Sequence, residues 1–244
     1  MAAKERLDVT LVSRGLVSSR EKAQALVLAG EVRINGQTAT KPGQPVDPEA
    51  RLEIRQPLRY VSRGGLKLEA ALSTFKISVQ GKVCLDVGTS TGGFADCLLQ
   101  HGALRVHCVD TGSGQIDWKL RNDPRIVLHE NTNARYLSFA QINELVDLIT
   151  CDVSFISVTM LIPALRQLLT EHGEWIILVK PQFEAGRESI GKGGIVRDSS
   201  AHEAACQRVS RALESEGLST RVVESPIRGV KGNREFLMHA CRAQ

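Results

Sequence analysis

"KVCLDVGTSTGGFADCLL", residues 82–99, decides the fold. Its first half, over 82–88, reads as a buried strand. Three glycines follow, at Gly88, Gly92 and Gly93, and then "GGFADCLLQHG" has the apolar spacing of a helix. Strand, tight glycine turn and helix in that order open a doubly wound α/β fold. Further strands are expected at 105–110, 125–130, 145–152 and 174–180. Helices are expected between them: a short one near 115–121, a long one over "ISVTMLIPALRQLLTEHG", and one from a capping box at Ser200 and Glu203 to Gly217. "STRVVES" and "REFLMHACR" have no helix between them and should pair as an antiparallel hairpin, so the sheet is parallel except for its last strand.

Composition limits what such a chain does. Its 244 residues are 42% hydrophobic and 24% charged, those of an ordinary globular protein. No apolar run approaches the roughly 20 residues of a membrane helix, and "MAAKERLDVT" has no stretch suited to secretion. Six scattered cysteines with no CxxC pair read as free thiols, so a cytoplasmic setting is expected, and no His/Cys cluster suggests a metal. Residues 1–63 hold 11 Lys and Arg against 7 Asp and Glu, whereas 64–244 hold 20 of each. The net charge of +4 therefore sits in the first quarter, where a polyanion would meet it.

That quarter reads as a domain of its own. Leu7, Leu11 and Leu16 suggest a helix closed by Gly15. Ser18 or Ser19 caps a second helix carrying Ala23, Leu26 and Val27, and "EVRINGQTA" is a hairpin turning at Asn35-Gly36. "RLDVTLVSRGLVSSREKAQALVLAGEVRINGQ" resembles the small alpha-L RNA-binding domain named after ribosomal protein S-four. The resemblance implies phosphate contacts there, for which Arg6, Arg14, Arg20, Lys22, Arg33 and Lys41 are the candidates. We assign residues 1–56 to this domain, 57–63 to a linker and 64–244 to the α/β domain.

In open α/β sheets ligands bind beyond the carboxyl ends of the strands. The turn "GTSTGGF" fits neither G-x-G-x-x-G nor G-K-[ST], which disfavours dinucleotides and nucleoside triphosphates. Asp86 stands where a dinucleotide site would want phosphate, and Asp110 at the next strand end suits ribose hydroxyls. Acids at both places fit S-adenosylmethionine, which carries an ammonium, a sulfonium and a diol. Asp86, Gly88, Thr89, Ser90, Gly92, Gly93, Phe94, Asp110 and Asp152 are the candidate cofactor residues.

"EWIILVKPQFEAG", residues 174–186, ends a buried strand on Lys180. Asp152 ends the strand before it, Glu235 begins the antiparallel one, and Lys67 lies on the helix ahead of the first strand. These four match the Lys-Asp-Lys-Glu tetrad of FtsJ-like ribose 2′-O-methyltransferases. With "VSRGGLKLEAAL", "NTNAR", "CDVSFIS", "GKGGIVRD" and "KGNREFL", the chain resembles the TlyA, or "hemolysin A", family of rRNA methyltransferases. The resemblance implies a Rossmann-like, seven-stranded S-adenosylmethionine-dependent methyltransferase fold. It also implies methylation of a cytidine 2′-hydroxyl in ribosomal RNA within a subunit, the large one favoured. Lys180 in its neutral form is the expected base, with Asp152 and Glu235 orienting it and Lys67 positioning the hydroxyl. One departure is Leu58-Arg59-Tyr60-Val61, where the family leads one to expect an Arg-x-Trp-Val-like linker. Arg187 and Lys192 in a glycine-rich loop, and Arg135, are further candidates for RNA contact. Two alternatives are an inert RNA-binding assembly factor and a true hemolysin.

Overall fold

The computed structural model describes residues 4–54, 59–186, 191 and 193–242. The chain divides into two compact units, Met1–Leu58 and Arg59–Gln244. In the first are β1 (Glu5–Arg6), α1 (Leu7–Ser13), α2 (Arg20–Leu28), β2 (Val32–Ile34), β3 (Gln37–Thr38), β4 (Pro45–Val46) and β5 (Leu52–Ile54). Leu7, Leu11, Ala23, Val27 and Val32 form its buried core. Ser19 caps α2 by accepting from the Lys22 amide at 3.3 Å. Asn35 and Gly36 both have positive φ, 50° and 83°, as a two-residue hairpin turn requires. Leu16, expected on the first helix, lies beyond it and is exposed.

The second unit runs α3 (Arg63–Phe75), β6 (Val83–Val87), α4 (Gly93–Gln100), β7 (Arg105–Val109), α5 (Trp118–Arg121), β8 (Ile126–His129), α6 (Phe139–Ile142), β9 (Val146–Cys151), α7 (Ile162–Arg166), β10 (Leu169–Val179), α8 (Pro181–Glu184), α9 (Ser199–Glu214), β11 (Leu218–Glu224) and β12 (Phe236–Arg242). The seven strands lie in the order β11-β12-β10-β9-β6-β7-β8, and only β12 is antiparallel to its neighbours. One apolar cluster packs α3 and α4 on one sheet face, and a second packs α7 and α9 on the other. The central strands are thereby covered on both sides, which is why 175–179 is an unbroken buried run.

Three expectations need correction. The long helix before β10 is a 3-10 turn and the short α7, and β10 already begins at Leu169. Pairing of Leu169 with Val146 takes the chain out of helix, and a register irregularity before Glu174 absorbs the intervening residues. The cap of α9 is Asp198, which accepts from the Ser200 amide at 2.9 Å, so helix begins ahead of the proposed capping box. Residues 59–63, read as linker, belong to the second unit. Tyr60 is buried in its core, and the Val61 amide donates to Asp96 at 2.8 Å.

Candidate active site

The parallel strands deliver the glycine turn, Asp110, Asp152 and Lys180 to one rim. Antiparallel β12 starts at that rim and so brings Glu235 there. Two adjoining cavities open at this place, of about 480 and 370 Å³, and share Gly88, Ser90, Asp152 and Ser154.

The larger cavity lies over the glycine turn. Gly88 has φ 82°, and a Cβ there would stand 2.6 Å from the Asp152 carbonyl, so only glycine fits. Asp110 accepts from the Ser90 amide through Oδ2 and from the Gly112 amide through Oδ1, both at 2.8 Å, and is thereby fixed on the wall. The lining includes the carboxylates Asp110 and Asp152 but neither Lys nor Arg. Such a wall repels phosphate and accepts a cationic ligand with a diol. Asp86 lines neither cavity. It is fully buried, its Oδ1 accepts from Thr150 Oγ1 at 2.8 Å, and its Oδ2 has no partner among the described residues. Burial, with Asp152 and Asp110 adding negative charge, pushes its carboxyl up to about 7. A bound cation would offset that charge. The lining and this unpartnered oxygen therefore fit S-adenosylmethionine.

The smaller cavity holds the four rim residues. Lys180 Nζ lies 2.6 Å from Asp152 Oδ1 and donates to Ser154 Oγ at 2.9 Å. Lys67 Nζ lies 2.5 Å from Glu235 Oε2, both side chains being nearly buried. Two lysine–carboxylate pairs thus face one space. Thr89, Ser90, Gly93 and Phe94 complete that wall, whereas Gly92 lines neither cavity and its hydrogen meets Leu120 instead.

Sequence reasoning missed several contributors. Ser154, two residues past Asp152, accepts from Lys180 Nζ. Its place in "CDVSFIS" next to a strand-end acid was the available signal. Gly229 lies against Glu235, whose carboxylate occupies the position of any Cβ. No local signal announces such a long-range contact. Buried Glu184 of α8 accepts from the Val158 amide at 2.8 Å and from Ser157 Oγ at 2.5 Å. It ties the segment after Asp152 to the segment after Lys180. Phe155, on the wall of the larger cavity, is 92% exposed with φ 67°, its ring tilted against Phe183 at 5.2 Å.

Among the candidates for RNA contact, Arg6 and Arg20 lie 3.0 and 3.2 Å from the buried Asp8 carboxylate. These guanidinium groups hold that carboxyl far below its ordinary range. Arg14 donates to the carbonyls of Ala50 and Pro48. These three arginines each have a partner within their own unit. Lys22, Arg33 and Lys41 are exposed on the first unit, and Arg135 is exposed over the Tyr136 ring. Arg187 and Lys192 lie outside the described residues.

A family model of FtsJ-like methyltransferases matches residues 60–242, and a model of the S4 domain matches residues 5–52. The chain is 49% identical over 239 residues to YqxC of Bacillus subtilis, named as a candidate rRNA methyltransferase, with 97% of this chain and 85% of that one covered. It is 43% identical over 241 residues to the 16S/23S rRNA (cytidine-2′-O)-methyltransferase TlyA of Mycobacterium tuberculosis, covering 98% and 90%. A solved structure from Streptococcus thermophilus, described as a candidate hemolysin, superposes with a TM-score of 0.76 at 44% identity, covering 100% of this chain and 90% of that one.

Proposed function

The chain belongs to the FtsJ-like methyltransferase family, in the group that includes TlyA, and on that premise we propose that it methylates a ribose 2′-hydroxyl of ribosomal RNA. The observation that carries this reading is the Lys180–Asp152 pair where the carboxylate-walled cavity opens into the second one. S-adenosylmethionine supplies a methyl group on a positively charged sulfur. Gly88, Ser90 and Asp110 would hold it, with Asp86 countering its charge from beneath.

A ribose hydroxyl is a poor nucleophile and must lose its proton as its oxygen bonds to the methyl carbon. Lys180 in its neutral form takes that proton on Nζ, and Asp152 and Ser154 fix where Nζ stands. Lys67, anchored by Glu235, donates toward the hydroxyl oxygen and holds it in line. Much of the acceleration comes from this alignment, since both lysines are held on rigid elements, one by α3 and one at the end of β10.

The exposed ring of Phe155 supplies a stacking surface for a base turned out of its helix. In the first unit Lys22, Arg33 and Lys41 supply cations for the RNA backbone. A cytidine is the expected target, as in the name of the TlyA relative, which covers both 16S and 23S rRNA; we propose the large subunit as the context. Among the described residues no helix is long and apolar enough to cross a membrane.

Unmodified ribosomal subunits incubated with the protein and S-adenosylmethionine provide the test. A 2′-O-methyl group removes the hydroxyl that drives alkaline cleavage, so treated rRNA should show a gap in its hydrolysis ladder at a cytidine. A complete ladder together with a methylated base in the digest would sink the proposal.

A further inference from the structure

We infer that Asn233 is a positioning residue for the Lys67–Glu235 pair, an inference that rests on the catalytic reading of that pair. Asn233 stands two residues before Glu235 and is buried, at 4% exposure. Its Oδ1 accepts from the Val196 amide at 3.0 Å, and its Nδ2 donates to the Gly194 carbonyl at 3.0 Å. A carboxamide offers a donor and an acceptor in one plane, as a peptide does, so this side chain does what a neighbouring strand would do for residues 194–196. The Asn233 carbonyl accepts from the Gly229 amide at 2.9 Å, which closes the connection between β11 and β12 into a compact loop.

The inner side of that loop is the Glu235 site. The α-carbon of Gly229 lies so close to the Glu235 carboxylate that no side chain fits between them. The Glu235 carbonyl is held by the Ser225 amide at 2.9 Å. On the outer side, His202 Nε2 of α9 lies 3.0 Å from the Val196 carbonyl, and Lys231 donates to the Gly193 carbonyl at 3.0 Å. Contacts therefore run from α9 through Val196, Asn233 and Gly229 to Glu235, and across 2.5 Å to Lys67. Without the Asn233 side chain the loop 229–233 loses its tie to residues 194–196, and the Gly229 wall that this loop carries can shift with it. The carboxylate packed on it then shifts too, and Lys67 no longer meets the ribose hydroxyl at the aligned distance.

Asn233→Asp keeps the shape and the acceptor but removes the donor and sets a negative charge against the Gly194 carbonyl. In the full chain, affinities for S-adenosylmethionine and for unmodified ribosomal subunits should stay within about two-fold. The single-turnover methylation rate should fall roughly ten- to hundred-fold, the consequence of one broken buried hydrogen bond. The effect should vanish in a Glu235→Gln background, because a residue that acts through Glu235 has nothing left to position. If Asn233→Asp unfolds, the smaller and uncharged Asn233→Ser is measured by the same scheme. An unchanged rate, a loss that adds in full to that of Glu235→Gln, or a loss confined to ligand affinity would each overturn the inference. A wild-type protein that fails to methylate subunits at all would instead refute the catalytic reading beneath it.

Discussion

Lys180 follows β10, just beyond the apolar run Trp175–Val179, and meets Asp152 and Ser154 in the cavity. Substituting Lys180→Ala removes the proposed proton acceptor while leaving Gly88, Ser90 and Asp110 in place. The expected outcome is a methylation rate lower by at least ~100-fold, with S-adenosylmethionine affinity by calorimetry nearly unchanged. Phe155 poses the opposite balance. A bulky residue at φ 67° with 92% exposure has neither backbone comfort nor burial to favour it, which supports the proposed stacking role. Asparagine tolerates that backbone well. Phe155→Asn should therefore raise the thermal midpoint slightly, by the equivalent of about 1 kcal/mol, while weakening binding to unmodified ribosomal subunits by the ~1–3 kcal/mol that a base stacked on an aromatic ring contributes. An unaltered affinity would show the ring to be incidental.

The turn from β6 into α4 joins two demands in one element. Its glycines bring backbone against the Asp152 carbonyl, and its acid, Asp86, is sealed below with one oxygen unpartnered among the described residues. A carboxyl raised from 3.8 to about 7 by burial is favoured in its protonated form by the fold. Its contribution to stability is therefore fully present below the unfolded value and is lost as pH rises through about 7. Asp86→Asn, neutral at every pH, should remove this dependence. The difference in stability between wild type and variant is expected to turn against the wild type by a few kcal/mol, on the order set by the shift, as pH rises from 3.8 to about 7. Calorimetric melting at several pH values reads it, and parallel curves for the two proteins would contradict it. The strand-turn-helix pattern and its glycines were legible in the sequence because they are local. Thr150, which donates to Asp86 from the neighbouring strand β9, was not, because strand register is set by the whole sheet.

At the scale of the whole molecule, the unit boundary alters the charge argument. Placing it at residue 58 instead of 63 moves Arg59 and Arg63 to the second unit, so Lys and Arg exceed Asp and Glu by two in each unit. Arg59 pairs with Glu69, and Arg63 is exposed on the wall of the smaller cavity. A chain of residues 59–244, which keeps buried Tyr60, should fold and bind S-adenosylmethionine as the full protein does. Its affinity for rRNA should fall by more than roughly ten-fold, and the slope of log affinity against log salt should shrink by about 0.9 for each phosphate that the first unit neutralises. Equal slopes for the two chains would show that the first unit does not touch the RNA backbone.

The sequence by itself determined most of the element types of the α/β domain, the mostly parallel sheet with its reversed last strand, and the chemical kinds of residue at the rim, but not the segment before β10, which it read as one long helix. Periodicity, turn chemistry and capping are local properties, and a strand-end acid or lysine can be recognised without knowing its neighbours. Only the tertiary structure decided that Lys67 meets Glu235 across 168 positions, that Gly229 is the wall behind that carboxylate, and that Asp198 rather than Ser200 caps α9. It alone showed Leu169 in a strand and Tyr60 in a core, where pairing with β9 and burial beside α3 and α4 override what the local pattern favours. Such contacts are settled by packing between segments far apart in the chain, and no short stretch of sequence contains both partners.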